Sequence, residues 1–309
     1  MKRTELKKLF HDQNVHVALL QETQHQSCNH NITGYVPYTC NCTSCRGIIT
    51  YVRKDLQCDV TTHTEDSPND ILHATVWFGD KKFRIYNVYS APKDVFTFTS
   101  PDSIFKSTVI AGDFNGHSPL WGYSDHNNSG INIEDLCQST NLIRLQDENS
   151  KPTLLHKAHG TLHRPDLTLV SADIHSSCST EVLKDIGSDH RPTVTSIHMG
   201  KQPSQRRRSR WNFRKANWES FRNNLDAELD LPLIDSMDED EANTHITSAI
   251  LQAAKSSIPR GSVRKYSPFW NAELEKSVAD RQAARKAFED DNSPENRRKY
   301  TRLLRRPNF

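Results

Sequence analysis

No stretch of this 309-residue chain stays apolar over anything near membrane-spanning length. Mean hydropathy is −0.74 and hydrophobic residues make up 35%, so a globular but polar protein without a membrane partner is expected. The opening MKRTELKKLFHDQNVHVALLQET lacks the apolar stretch and small-residue cleavage site of a signal peptide. A nuclear or cytoplasmic, non-secreted location is the corresponding expectation. Cysteine is sparse and odd in number, seven at irregular spacing, which fits free thiols rather than a disulfide framework. The CNCTSC run at 40–45, with Cys28, His25 and His30 nearby, lacks a second distant ligand pair, so structural zinc is not expected. Strong charge of one sign is also missing, the formal net charge being +2.

That small net charge hides an asymmetry. Residues 1–200 carry 18 Lys and Arg against 22 Asp and Glu, or −4; residues 201–309 carry 22 against 16, or +6. The boundary is the polar stretch KQPSQRRRSRW, which includes Arg206, Arg207, Arg208 and Arg210. It reads as a linker at 201–216 whose arginines suit nucleic-acid phosphates, although a solvated linker has the same composition. The expected organisation is a first domain at 1–200, this linker, and a helical region at 217–309.

Upstream of the linker, short β-rich runs dominate: VHVALLQ, RGIITYVRK, ILHATVWFG, KFRIYNVYS, STVIAGD, RPDLTLVS and RPTVTSIHM. Turn residues separate them at 67–70, 79–80 and 127–130. Helical periodicity is confined to about 3–13 and 131–142, where Ile133, Leu136, Cys137 and Thr140 share a face. Many short strands with few helices imply an α+β fold of two packed sheets flanked by helices. Downstream the pattern turns helical, with Trp218, Phe221, Leu225 and Leu229 on one face and Ile246, Ala249, Ile250 and Ala253 on another. The last stretch, ELEKSVADRQAARKAFEDD, is charged with a thin apolar stripe, and RRKYTRLLRR follows at 297–306.

The chemistry-bearing residues fall where the apolar runs stop. STVIAGDFNG ends a strand with Asp113 and Asn115, and the period of two predicts both side chains on one face while Phe114 packs inward. Ser-Asp-His at 188–190 opens another strand with Asp189 and His190. Glu22 ends VALLQET, Tyr89 ends FRIYNVY, and Asp166 starts DLTLVS. Each alone is commonly a cap, a turn residue or packing. Together they are the parts needed to hold a divalent cation and attack a phosphodiester, because loops at one edge of a sandwich converge.

The order QET, VYSAP, GDFNGHSPLWG, RPDLTL and SDHRP resembles the nuclease branch of the endonuclease/exonuclease/phosphatase superfamily. More narrowly, GDFN followed by HSPLWG and the later DLTLVS resemble the apurinic/apyrimidinic-like endonuclease domain of a non-LTR retrotransposon. The tail segments RSRWNFRKANWESF and FWNAELEKSVADRQAARKAF look like the connector before its reverse transcriptase. The resemblance implies a four-layer α/β/β/α sandwich of two mixed sheets followed by a mainly helical tail. It also implies Mg²⁺, with Mn²⁺ as the alternative cofactor, held by Glu22 with Asp189 on the metal side. Asp113 would position or deprotonate water, Asn115 would stabilise the phosphorane, His190 paired with Asp166 would contact the scissile phosphate, and Tyr89 would bond it. The partners implied are a DNA substrate, nicked to leave a 3′-hydroxyl primer, and the element's RNA.

Two departures accompany the resemblance. Lys93 stands near where an Asn often follows the tyrosine–proline turn. The Asn-bearing first strand of the family has no counterpart before the helix at Met1, and no polymerase segment follows the connector. An N-terminally truncated domain, an element fragment cut at both ends, is the expectation drawn from this. The alternatives are a catalytically inactive fragment that at most binds nucleic acid, and a phosphatase of the same fold; HSPLWG after GDFN argues against the latter.

Overall fold

The computed structural model describes residues 3–23, 31–39, 47–63, 68–98, 105–157, 159–199, 211–229, 231–234, 236–260 and 270–304. The chain forms two compact units, one made of Met1–Met199 with Ser267–Phe309 and the other of Gly200–Tyr266. The region 217–309, expected as one helical connector, is therefore shared between them. No helix among the described residues is long and apolar enough to cross a membrane.

The first unit begins with α1 (Arg3–Asp12), β1 (Val17–Leu20), β2 (Tyr35–Thr39), β3 (Ile49–Arg53), β4 (Gln57–His63), β5 (Asp70–Phe78), β6 (Lys81–Tyr89) and β7 (Thr108–Asp113). It continues with α2 (Asn128–Ser139), β8 (Leu142–Arg144), β9 (Leu154–His156), β10 (Thr161–His163), β11 (Asp166–Ser171), α3 (Ala172–His175), β12 (Cys178–Val182) and β13 (Thr193–Ile197). The second unit holds α4 (Trp218–Glu228), α5 (Leu231–Ile234) and α6 (Glu239–Ser257); α7 (Ala272–Asp290) and α8 (Pro294–Leu304) return to the first.

Six strands pair in the order β4-β5-β6-β7-β11-β8, and three in the order β1-β3-β2. The larger sheet is mixed, because β6 and β7 run parallel while its other pairs are antiparallel. The smaller one is antiparallel throughout. Period-two alternation assigns each strand's side chains to separate layers. On one face of the large sheet, Ala74, Val76, Phe83, Ile85, Val109 and Val170 meet Val52, Val17 and Leu19 of the small sheet. On its other face, Tyr86, Val88, Ile110, Leu167 and Leu169 pack with Ile133 and Leu136 of α2. Leu6 and Phe10 of α1 cover the outer face of the small sheet through Leu20, Ile49 and Tyr51. The result is the helix–sheet–sheet–helix order that the strand-rich pattern predicts. In the second unit, α4 and α6 meet through Asn224, whose Nδ2 donates to Ser256 and Ser257 at 2.9 and 3.0 Å.

Several local features differ from the sequence reading. NNSG at 127–130 is not a separating turn: Asn127 caps α2, its side chain accepting from Gly130 N at 2.8 Å, and the rest is the first helical turn. Ser188–His190 does not open a strand. It lies in a bend joined by an isolated bridge between His190 and Leu154, and β13 starts only at Thr193. Strands β4 and β12 mix polar residues into their runs, and β8, β9 and β10 have three residues each, too few for a period to show.

Gly112 has a role that its sequence context does not reveal. It pairs with Val88 across the parallel β6–β7 ladder, and a Cβ there would lie 1.8 Å from the Val88 carbonyl oxygen. The glycine of GDFN thus permits the backbone approach that lines up the ends of β6 and β7. Since the opposing atom is backbone and cannot rotate away, Gly112→Ala is expected to cost about 3 kcal/mol or more. Thermal denaturation tests this; an unchanged melting temperature would show that the approach is not needed.

Candidate active site

The ends of three neighbouring strands place the chemistry in a row. Tyr89 at the end of β6 pairs with Asp113 at the end of β7, and Asp113 pairs with Asp166 at the start of β11. Residues paired across a sheet share a face, and here it is the face toward the small sheet. Along it the rows pass from Ile85, Val109 and Val170, through Asn87, Ala111 and Thr168, to Tyr89, Asp113 and Asp166. Apolar packing thus gives way to hydrogen-bonded polar residues and then to carboxylates at the rim. Asn87 is fully buried and donates to the Ile49 carbonyl at 3.1 Å and the Thr50 hydroxyl at 3.2 Å, tying the two sheets together just below the site.

Glu22 and Asn115 both adopt left-handed backbone, with φ of 51° and 45°. Such conformations cost about 1–3 kcal/mol for most residues and concentrate at functional sites. Glu22 accepts a hydrogen bond from the Tyr89 hydroxyl at 2.6 Å, which brings the end of β1 to the row. Asn115 is not a continuation of the strand, because β7 stops at Asp113. Instead the Asn115 backbone N–H donates to Asp113 Oδ1 at 3.1 Å, and its Nδ2 donates to the Ser90 carbonyl at 2.8 Å. A turn, rather than period-two alternation, keeps the amide beside the carboxylate. Phe114 is fully buried, packed edge-on against Phe96, as the pattern predicts.

His190 completes the group. Its Nδ1 lies 2.8 Å from Asp166 Oδ2, and its Nε2 lies 3.9 Å from Asp113 Oδ2. Asp113, Asp166 and His190 offer ligand atoms within 4.8 Å of one another, the arrangement of a site able to hold a metal ion. Burial lowers the His190 pKa, but Asp166, then Asp113 and Asp189, outweigh it and push the value up to about 9. Burial and the Asp166 carboxylate raise Asp113 to about 7. Asp189 turns its carboxylate to Lys157 Nζ at 3.2 Å and stands outside the three-residue group, as does Glu22. Although burial raises the Asp189 pKa, Lys157 and His190 hold it below the usual range.

Residues missed in the sequence also shape the site. Tyr123 follows HSPLWG and stacks between His117 and His163, with ring separations of 4.1 and 5.6 Å. Burial raises its hydroxyl pKa, and the Asp113 and Asp166 carboxylates add to that. Its aromatic type was the available signal, but only the loop path brings it to the carboxylates. Lys93 lies in a turn after β6. Arg206, Arg207, Arg208 and Arg210, and the CNCTSC run with Cys28, His25 and His30, lie outside the described residues.

The two sheets pack as a sandwich with carboxylates and an imidazole at one shared rim. Residues 83–194 match the endonuclease-reverse transcriptase family. Among solved structures, the fold is similar to the endonuclease domain of TRAS1, a telomere-specific non-LTR retrotransposon, with a TM-score of 0.51 and 18% identity over 65% of this chain and 94% of that one. A truncated Caenorhabditis elegans TDP2 also matches, with a TM-score of 0.41 and 12% identity over 62% and 88% of the two chains. A search of curated proteins finds no significant match. The family match is confined to residues 83–194, and the likeness to the TRAS1 domain is one of fold.

Folding favours the His190 imidazolium, because the folded pKa of about 9 exceeds the ordinary 6.5. That contribution to stability is fully present below pH 6.5 and is lost as pH rises through about 9. An NMR titration of the His190 ring should therefore give a midpoint near 9, and Asp166→Asn should move it down towards 6.5. A wild-type midpoint at or below 6.5 would contradict the pairing.

Proposed function

We propose that this protein is a divalent-cation-dependent nuclease that hydrolyses a DNA phosphodiester and leaves a nick with a 3′-hydroxyl. The observation that carries the reading is the contiguous Asp113–His190–Asp166 group, with a 2.8 Å carboxylate–imidazole bond at the end of adjoining strands. The oxygen-rich donor set fits a hard cation of the Mg²⁺ or Mn²⁺ type. Glu22 would hold it, with Asp189 on the metal side; Glu22 lies close enough for its charge to raise the Asp113 pKa. When bound, such a cation supplies Lewis-acid stabilisation of charge on the phosphate and leaving oxygens.

The remaining roles belong to the chain's own residues. Asp113, whose pKa is pushed up to about 7, is matched to take a proton from water near neutral pH. The water oxygen bonds to phosphorus, the bond from phosphorus to the 3′-oxygen breaks, and that oxygen leaves with a proton taken up from solvent. His190, charged and oriented by Asp166, donates to a non-bridging oxygen, and the Asn115 amide stabilises the same developing charge. Tyr89, buried and bonded to Glu22, orients that carboxylate as well as facing the phosphate. Asp189 contributes negative charge that favours the imidazolium. The match of residues 83–194 to an endonuclease family supports this reading over a phosphatase of the same fold.

Nicking of supercoiled plasmid tests the assignment. With Mg²⁺ the chain should convert it to open circle, and Asp113→Ala and His190→Ala should each lose about 10²–10⁴-fold. Excess chelator should abolish nicking in all three. Equal nicking by all three proteins would sink the catalytic assignment, and no nicking by any would favour an inactive fragment. For the basic linker we propose phosphate contacts through Arg206, Arg207, Arg208 and Arg210. Replacing all four with Gln should reduce the log–log salt slope of DNA binding by about 3–4. An unchanged slope would leave that segment a solvated linker.

A further inference from the structure

The tail helix α7 carries two arginines on its buried face. Arg281 and Arg285 are 1% and 2% exposed, side by side at a spacing of four. Arginine is almost never buried so deeply without partners, and the partners here are informative. Arg281 forks onto Glu5 of α1 at 2.9 and 2.5 Å and reaches Asp185 at 3.2 Å. Arg285 donates from Nη1 to the Ser188 carbonyl at 2.9 Å and from Nη2 to the Asp189 carbonyl at 3.0 Å. Its Nε is held by Glu289 at 2.8 Å, and Glu289 also bonds Arg191 at 2.5 Å.

These two carbonyls immediately precede His190. The bend they belong to has no ladder of its own beyond the single bridge from His190 to Leu154. Leu155 N at 3.2 Å gives the Asp189 carbonyl a second donor. A planar guanidinium with donors at fixed angles is suited to hold two successive carbonyls at once, whereas a lysine ammonium is a rotating point charge without that fixed fork. Gln282, one turn earlier on the same helix, adds a bond to the Asp185 carbonyl at 3.2 Å. The bend from 185 to 191 is thus fastened from one side by α7 and from the other by the β9 strand.

We propose that Arg285 is a positioning residue for His190, and that helix α7 is a structural part of the active site rather than only a connector leading away from it. The guanidinium fixes the Ser188 and Asp189 peptides, these fix the His190 backbone, and the ring is thereby presented to Asp166 at 2.8 Å. Arg285 touches no reacting atom in this scheme. The proposal rests on the nuclease reading of the site, but its geometric core can be examined independently.

The experiment uses the full chain with Arg285→Met, which keeps the stem and removes the fork, and Arg285→Lys, which can serve one carbonyl. The first readout is the downfield Nδ1–H proton of His190 in the NMR spectrum, with the His73 ring, stacked on Tyr86 in the large sheet, as internal control. The second is plasmid nicking, separated into kcat and KM. Arg285→Met should broaden or lose the His190 signal while His73 is unmoved. It should also lower kcat about 10–100-fold with KM changed less than about twofold, and Arg285→Lys should recover part of both. A folded Arg285→Met protein with an unaltered His190 proton and kcat would overturn the proposal. If Arg285→Met fails to fold, Arg285→Lys decides it: an intermediate His190 signal supports the clamp, and a wild-type one refutes it. Should the wild-type chain not nick, the nuclease reading fails, and the His190 proton alone judges the clamp.

Discussion

The register of three strands governs this molecule. Tyr89, Asp113 and Asp166 stand opposite one another only because β6, β7 and β11 end or begin at the same level. That level is set partly by Gly112, where the backbones come too close for any side chain. A slip by one residue would turn every side chain on the slipped strand to the opposite face. The carboxylates would then point into the apolar layer around Ile110 and Leu169, where burial without partners is costly. Register, apolar layering and chemistry are therefore one constraint seen at three levels.

The electrostatics follow from that placement. Burial of Asp113, together with repulsion from the Asp166 carboxylate beside it, pushes Asp113 towards neutrality near pH 7. An imidazolium relieves the repulsion and is itself stabilised, to about 9. Asp113 and His190 each shift the other's titration, so the two are coupled. A second cluster, Glu5, Asp185, Arg281 and Arg285, balances two buried acids against two buried bases a few residues from the first. Removing one member of such a cluster leaves an uncompensated charge, at about 3–5 kcal/mol. This gives α7 a firm hold on the bend that carries His190.

Much of the fold and the site could be read in advance because both depend on local patterns. Runs such as ILHATVWFG and KFRIYNVYS are long enough for period two to show, and they became β5 and β6. Glu22, Tyr89, Asp113 and Asp166 were legible as polar residues where apolar runs stop, and the strands did bring them to one rim. Three-residue strands carry no measurable period, so β8, β9 and β10 were invisible. Asn115 was placed on the right side of Phe114 for the wrong reason, since a left-handed turn replaced the assumed strand. The arginines inside α7 show in the sequence only as part of a charged stretch with a thin apolar stripe, because a sequence window cannot see that Glu5 and the 185–189 bend lie against them.

By itself the sequence determined which residues are apolar, with what period, and where each run ends in a carboxylate, an amide or an imidazole. Those are properties of neighbours in the chain, and strand formation and layering follow from them. The tertiary structure alone decided that Glu22 meets Tyr89, that His190 meets Asp166, and that Arg285 grips the peptides before His190. These pairs are separated by 67, 24 and about a hundred positions, and only strand register and helix docking set their distances. The pKa shifts belong to the same class. They arise from charges that become close, and lose water, only when the two sheets pack.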